Sequence, residues 1–166
     1  IGSATVTVEG FTLNASGAGS GQDITLSSVS ADATINDSIF AGAGVNDRDA
    51  IATGATASGL AVNNVEIDSY DNGIHIDNAL TGDVTISSAD INNTNTGIDI
   101  QDAGGSNAIT ITDGVVTNTT TGVLNNDDDS SNTITVDGTN ITAVDNGVEN
   151  TGIGSLVVQQ ADITAD

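Results

Sequence analysis

The chain lacks several residue types, and each absence excludes a class of protein or partner. It contains no Cys, which excludes a disulfide framework and a thiolate zinc site. It has no Lys and a single Arg, Arg48, against 23 Asp and Glu, so its formal net charge is −22. Nucleic acid and anionic membrane surfaces are therefore not expected partners, because both are bound through Lys and Arg. No apolar run reaches the length of about 18 residues that would predict a membrane span.

Aromatic residues are scarce, and Pro, Trp and Met are absent. One Tyr and two Phe leave few rings on which a sugar could stack. The chain shows no secretion signal and starts with Ile, so we expect a processed or excised piece of a longer protein. Gly, Asn, Asp, Ser and Thr fill the gaps between short apolar segments, and these are the residues of turns.

The chain repeats an apolar triplet at intervals of 24, 25 and 25 residues. A period in this range indicates a solenoid, in which each repeat packs on its neighbours. Within each repeat the pattern apolar–x–apolar occurs up to three times, and a period of two predicts strands with one buried face. The aligned triplets are residues 60–62, 84–86, 109–111 and 134–136.

Three strands per repeat predict a triangular coil, and stacked coils predict columns of buried apolar side chains. A fifth column changes from Ile76 and Ile100 to Asn125 and Asn150, so we expect the third face to loosen toward the C-terminus. The four apolar columns are Leu60, Val84, Ile109, Ile134 and Leu156; Val62, Ile86, Ile111, Val136 and Val158; Ile67, Ile91, Val116, Ile141 and Ile163; and Ile74, Ile98, Val123 and Val148.

The predicted fold is all-β: a right-handed three-sheet parallel β-helix of about seven coils of 22–25 residues. The right-handed sense follows the general rule for parallel crossover connections. Residues 1–166 form a single domain, with regular coils over 59–166 and an irregular or inserted coil at about 31–59.

Four glycines recur just before the third strand of each coil, at Gly73, Gly97, Gly122 and Gly147. Gly adopts positive φ without a steric penalty. We therefore expect these glycines to form a repeated tight corner.

The repeat resembles a known class of solenoid. Residues 83–100 read Asp-Val-Thr-Ile-Ser-Ser-Ala-Asp-Ile-Asn-Asn-Thr-Asn-Thr-Gly-Ile-Asp-Ile. This pattern is similar to the right-handed parallel β-helix repeat of the pectin-lyase-like superfamily and of bacterial or archaeal surface adhesins and filaments. The resemblance covers residues 59–166 and, more loosely, the N-terminal part. It implies the architecture more strongly than an activity.

Polysaccharide cleavage is the first activity that the resemblance implies. Lyases of that superfamily use Arg or Lys near acidic calcium ligands, and its hydrolases use clustered Asp with basic residues and His. This chain offers Arg48, one His (His75) and one Tyr (Tyr70), which is little for proton transfer. His75 is expected to point outward beside Asp99 as a solvated side chain. We therefore predict that the chain is not an enzyme and has no catalytic residues.

Acidic residues follow the third strand at intervals of 25, at Asp77, Asp102 and Asp127. Asp128 and Asp129 add further oxygens. Calcium binds six to eight oxygen ligands from carboxylates, amides and carbonyls, so these five residues are a candidate calcium site. A solvated acidic loop is the alternative. No cofactor is expected to be required.

A Thr column is expected on the outer side of the first strand, interrupted by Ala61 and Val157. Thr arrays on solenoids resemble ice-binding faces, although Thr is also a common exposed strand residue. The predicted members are Thr7, Thr25, Thr85, Thr110 and Thr135.

Taken together, these features predict a non-catalytic, extracellular or cell-surface structural rod of an adhesin, surface layer or filament. Neither end shows a capping element, so the open ends are expected to join further copies or adjoining coils of a longer chain. Glycans are a possible additional partner. The alternatives are a β-helix that binds or cleaves polysaccharide and, third, an ice-binding solenoid.

Overall fold

A computed structural model describes residues 6–14, 21–26, 32–44, 48–54, 58–77, 81–101 and 105–165. All regular structure in these ranges is β-strand, and none of it is helix. The strands are β1 (Val6–Glu9), β2 (Thr12–Asn14), β3 (Gly21–Leu26), β4 (Asp32–Ala41), β5 (Arg48–Thr53), β6 (Gly59–Asp68), β7 (Asn72–Ile76), β8 (Val84–Ser87), β9 (Asp90–Asn92), β10 (Thr96–Ile100), β11 (Ala108–Thr112), β12 (Val115–Asn125), β13 (Thr133–Asp137), β14 (Asn140–Asn150), β15 (Ser155–Gln159) and β16 (Asp162–Ala165).

The strands stack into three parallel sheets, because each coil contributes one strand segment to each sheet. The first sheet runs β1, β4, β6, β8, β11, β13 and β15. The second runs β2, β4, β6, β9, β12, β14 and β16. The third runs β3, β5, β7, β10, β12 and β14. The long strands β4, β6, β12 and β14 turn a corner and so belong to two sheets.

The predicted parallel β-solenoid is therefore confirmed. It makes about five turns, so the coil count differs slightly from the predicted seven. Five coils lie between the start of β4 and the end of β14. β1 to β3 precede these five coils, and β15 and β16 follow them.

The core is formed by the predicted columns, and their register is confirmed. Ile109, for example, lies between Val84 and Ile134 in the first sheet. Val and Ile in the middle of each column are 0–1% exposed. Burying such a side chain contributes about 1.5–3 kcal/mol, so repeated apolar stacking stabilises each coil on its neighbours.

β4 and β5 extend the columns toward the N-terminus. Ala33, Ile35 and Phe40 lie beside Leu60, Val62 and Ile67, and Ile51 lies beside Ile74. Asp32 pairs with Gly59, so this coil takes 27 residues, slightly more than the later ones. The ring of Phe40 also meets Phe11 edge-on, with ring centroids 5.3 Å apart.

The corner between the first and second sheets repeats one unusual backbone conformation. A single residue with positive φ turns the chain in every coil, and most of these residues are not glycine. Asn, Asp and Gly tolerate this region because their side chains are short and polar or absent. The members are Gly10 (66°), Asp37 (47°), Asn64 (52°), Ser88 (53°), Asp113 (53°), Gly138 (62°) and Gln160 (49°).

The predicted role of the glycine column is wrong. Gly73, Gly97, Gly122 and Gly147 lie in the third-sheet strands, and positive φ is found at other residues. Their role is close packing. A Cβ on Gly73 would lie 2.6 Å from the carbonyl oxygen of Gly97 and 2.7 Å from Cγ2 of Ile91. Glycine is therefore required because the next coil occupies the space of a side chain.

The expected loosening of the third face is wrong at Asn125. This side chain is 0% exposed, and its Nδ2 donates to Oδ1 of Asn150 at 2.7 Å. The strands also stay paired at this point. An amide ladder replaces the apolar column, because a hydrogen-bonded amide can be buried at little cost.

Candidate functional site

Arg48 and His75, the basic residues of the chain, lie in the neighbouring strands β5 and β7 of the third sheet. Arg48 begins β5, and its Nη1 lies 3.2 Å from Oδ1 of Asp23 on β3. Tyr70 is 0% exposed, and its hydroxyl donates to Oδ2 of Asp23 at 2.5 Å. Asp23 therefore accepts from two coils at once. Burial and this hydrogen bond raise the pKa of Tyr70 above its usual value.

His75 on β7 lies between two carboxylates of neighbouring coils. Its Nδ1 is 3.2 Å from Oδ2 of Asp49 on β5, and its Nε2 is 3.6 Å from Oδ2 of Asp99 on β10. Asp49 also accepts from Asn72 Nδ2 at 2.9 Å, and Asp99 accepts from Gln101 Nε2 at 2.9 Å. The predicted neighbour Asp99 is thus present, whereas the predicted solvated surroundings are not.

The three groups shift one another's pKa values. Hydrogen bonding to Asp49 is the main reason that the pKa of His75 is raised, with added attraction from Asp99 and Asp77. Burial alone would raise the pKa of Asp49, but hydrogen bonds from His75 and Asn72 lower it overall. Burial raises the pKa of Asp99. The cluster therefore favours an imidazolium between two unequal carboxyl groups.

Acid–base chemistry needs unequal carboxyl groups of this kind, but it also needs substrate access. The side chains of Asp99, Asp49 and His75 are only 5%, 10% and 18% exposed. Asp49 is hydrogen-bonded to His75 and Asn72 of the adjacent coil, whereas Asp99 accepts from Gln101 of its own coil. The arrangement is therefore suited to holding coils together and poorly suited to receiving a sugar chain.

We expect the stability of the protein to fall by about 1 kcal/mol as pH rises through the neutral and mildly alkaline range, as for one partly solvated charge-assisted hydrogen bond. The pKa of folded His75 is raised, so its contribution is complete below its unfolded pKa of 6.5 and is lost as pH rises through the folded value. The chain has one His and no Cys, so His75 is the only side chain whose ordinary pKa lies in this range. Urea denaturation across this range measures the effect.

His75→Gln is the control for this pH dependence. Gln keeps a hydrogen-bonding side chain but does not titrate, so the slope of stability against pH should disappear. An unchanged slope in the variant would assign the pH dependence to another group.

The candidate calcium residues are only partly brought together. Asp102 lies outside the described residues. Asp127, Asp128 and Asp129 follow β12 at one corner, whereas Asp77 follows β7, two coils earlier in the third sheet. Within the described ranges no three His, Asp or Glu side chains are grouped to hold a metal ion. Calcium binding stays a prediction.

Asp127 organises its corner through protein hydrogen bonds. It is 0% exposed, and it accepts from Asn132 Nδ2 at 2.7 Å and from the Asp129 amide at 3.2 Å. Ser131 donates to Asp129 through its hydroxyl and its amide, and these bonds lower the pKa of Asp129. The acidic run therefore builds a loop in which side chains replace backbone partners.

The outer Thr column has a different membership from the one predicted. Thr25 lies in β3 of the third sheet, and Thr34 takes the place assigned to it. Thr7 and Thr34 are followed by Ala61 and then by Thr85, Thr110 and Thr135, ending at Val157. Ice binding stays a prediction.

Asp23 and Asp49 are the site residues that sequence reasoning missed. Both lie in the N-terminal part, where the apolar triplets are less regular. The one available signal was the alternation over Ile51 to Thr53, which aligns with 74–76 and puts Asp49 beside Asn72. This register places Asp49 opposite Asn72, but it does not predict that the Asp49 carboxylate also contacts His75.

No model of a protein family, no curated protein and no solved structure matches this chain. In the part of the chain that the structure describes, no helix is long and apolar enough to cross a membrane.

Proposed function

We propose that this chain is a non-catalytic structural rod, part of an extracellular adhesin, surface layer or filament. The observation that carries the proposal is the continuity of the stacking. The buried apolar columns, the positive-φ corner and hydrogen bonds between polar side chains all repeat from coil to coil.

Polar side chains on the outer surface form hydrogen bonds from one coil to the next, and we call each such series a polar ladder. Asn63 donates to Asn36 at 2.8 Å and accepts from Ser87 at 2.7 Å, so one ladder links three coils. Asp68 accepts from Asn92 at 3.1 Å in a second ladder. Side-chain hydrogen bonds along the long axis resist separation of the coils, which is what a rod under tension requires.

The charge supports a location outside the cell. A net charge of −22 keeps a protein hydrated and dispersed in salt solution through self-repulsion. The chain has no Cys, so its stability does not depend on the redox state of its surroundings.

Depolymerisation assays on acidic polysaccharides test the non-catalytic part of this proposal. We expect no turnover with the purified protein, because the carboxyl groups of Asp49 and Asp99 are largely buried beside His75. Turnover that disappears in Asp99→Asn would contradict the proposal and identify the cluster as an active site.

A further inference from the structure

His75 and Asp99 each carry a buried polar atom without a hydrogen-bond partner in the part of the chain that the structure describes. The atoms are Nε2 of His75 and Oδ1 of Asp99. The Asp99 side chain is only 5% exposed, so solvent has little access to its carboxylate. Buried polar atoms nearly always have a partner, and those that do not often mark a site with a function beyond packing.

The other ring nitrogen of His75 is already held by a carboxylate. Nδ1 lies 3.2 Å from Oδ2 of Asp49, and Asp49 is itself fixed by Nδ2 of Asn72 at 2.9 Å. A proton on Nδ1 donates to Asp49 and leaves the lone pair on Nε2. Histidines that bind metal ions have this arrangement, because a carboxylate on one nitrogen orients the ring and makes the other nitrogen a better ligand.

The spacing between His75 and Asp99 suits a metal ion. Nε2 of His75 lies 3.6 Å from Oδ2 of Asp99, which is longer than a hydrogen bond. Zinc bonds of about 2.0–2.2 Å to each atom span this gap with an angle of about 120° at the metal, close to tetrahedral. A carboxylate that binds through both oxygens would also give Oδ1 its missing partner.

We propose that Nε2 of His75 and the carboxylate of Asp99 bind a divalent transition metal ion of the zinc class, with Asp49 as the positioning residue. The ion replaces any proton on Nε2, and that proton leaves to solvent. His75 and Asp99 are paired in the adjacent strands β7 and β10, so the ion would join two coils. The inference goes beyond the proposed structural rod and does not depend on it.

The ligands and their surroundings define the class of ion. An imidazole nitrogen beside a carboxylate suits zinc, copper or nickel, whereas calcium and magnesium take oxygen ligands. Among the described residues no third His, Asp or Glu joins the group, so water completes the coordination and the ion exchanges with solvent. Asp77 adds negative charge nearby. The His75 side chain is 18% exposed, which admits an ion although it excludes a sugar chain.

Nuclear magnetic resonance of the imidazole tests the site on the native chain. The chain has one His and no Cys, so a single ring reports all nitrogen or thiolate ligation. Zinc chloride should shift the ring signals of His75 until about one ion is bound per chain, and magnesium chloride at the same concentration should not. Ring signals that do not respond to zinc overturn the proposal, and this result does not depend on the folding of a variant.

Calorimetric zinc titration of variants tests the individual ligands. His75→Gln should abolish the binding of this one ion, and Asp99→Asn should weaken it strongly. Glu149→Gln is the matched control, because Glu149 lies in the same outward column two coils beyond Asp99. It should bind zinc as the native chain does. Equal binding by His75→Gln, or an equal loss in Glu149→Gln, would assign the binding to the acidic surface in general and overturn the site.

Asp49→Asn tests the positioning residue. Zinc affinity should fall by about 10–100-fold, the usual effect of removing the partner of a metal-binding His. The ring nitrogen signals of His75 should also lose their preference for a proton on Nδ1, which a merely structural role of Asp49 would not produce. Circular dichroism shows whether each variant folds. Unchanged zinc affinity in folded Asp49→Asn would contradict this role. None of these outcomes bears on the rod proposal, which the polysaccharide assays test.

Discussion

Replacing Ile91 by Ala should lower the free energy of unfolding by about 2–5 kcal/mol, the usual cost of removing a fully buried Ile. Ile91 is 0% exposed and lies between Ile67 and Val116 in the second sheet. The two neighbouring coils are held in place by the other apolar columns and by side-chain hydrogen bonds between coils. They therefore cannot close the cavity that the substitution leaves. Urea denaturation followed by far-ultraviolet circular dichroism measures the loss.

The same substitution at Ile163 is the matched control. Ile163 belongs to the same column, but it is 39% exposed and has one neighbouring coil in the described structure. We expect Ile163→Ala to cost about 1 kcal/mol or less, since less apolar area is lost and no closed cavity forms. Equal losses at the two positions would show that the column does not carry the stability assigned to it.

Replacing Gly97 by Ala should destabilise the protein by about 3 kcal/mol, near the upper end of the usual overpacking cost. A Cβ at this position would lie 2.5 Å from the carbonyl oxygen of Gly122 and 2.5 Å from Cγ1 of Val116. One of these is backbone of the next coil, so the added methyl group must push two strands apart. Amide hydrogen exchange should then rise in β10 and β12, and the denaturation midpoint should fall.

Gly59→Ala separates this steric effect from the general cost of altering a strand glycine. Gly59 is buried in β6, and a Cβ there would lie 3.2 Å from both the Asp32 side chain and the Asp83 carbonyl oxygen. We expect a change of about 1 kcal/mol or less, because both neighbours need to shift by only a few tenths of an ångström. A loss at Gly97 no larger than this would mean that close packing of the coils is not the reason for glycine there.

The repeat made much of the fold predictable from sequence. Side chains alternate in a strand and each coil pairs with its neighbours, so the spacing of apolar residues alone placed Ile109 between Val84 and Ile134. The prediction was weaker over β4 and β5, where Ala33 takes the place of Leu60 and Thr53 takes the place of Ile76. Small residues are buried there as well, but they do not produce a clear apolar pattern.

The polar sites were less predictable, because they depend on side chains that meet between coils. Asp49 lies opposite Asn72 in the strand register, yet its carboxylate also reaches His75 three residues along. The acidic corner contained a similar ambiguity: the sequence predicts oxygen ligands at Asp127, and the structure places its carboxylate among protein donors. Carboxylates have the same sequence pattern whether their partner is a cation or an amide.

The amino-acid sequence by itself determined the period, the parallel solenoid and the identity of the buried columns, because these follow from alternation along one strand and repetition along the chain. Only the tertiary structure decided why glycine recurs in the third sheet and which carboxylates enclose His75. Both depend on distances of a few ångströms between adjacent coils. Residues about 25 apart are brought into contact there, and the spacing along a single strand does not contain that information.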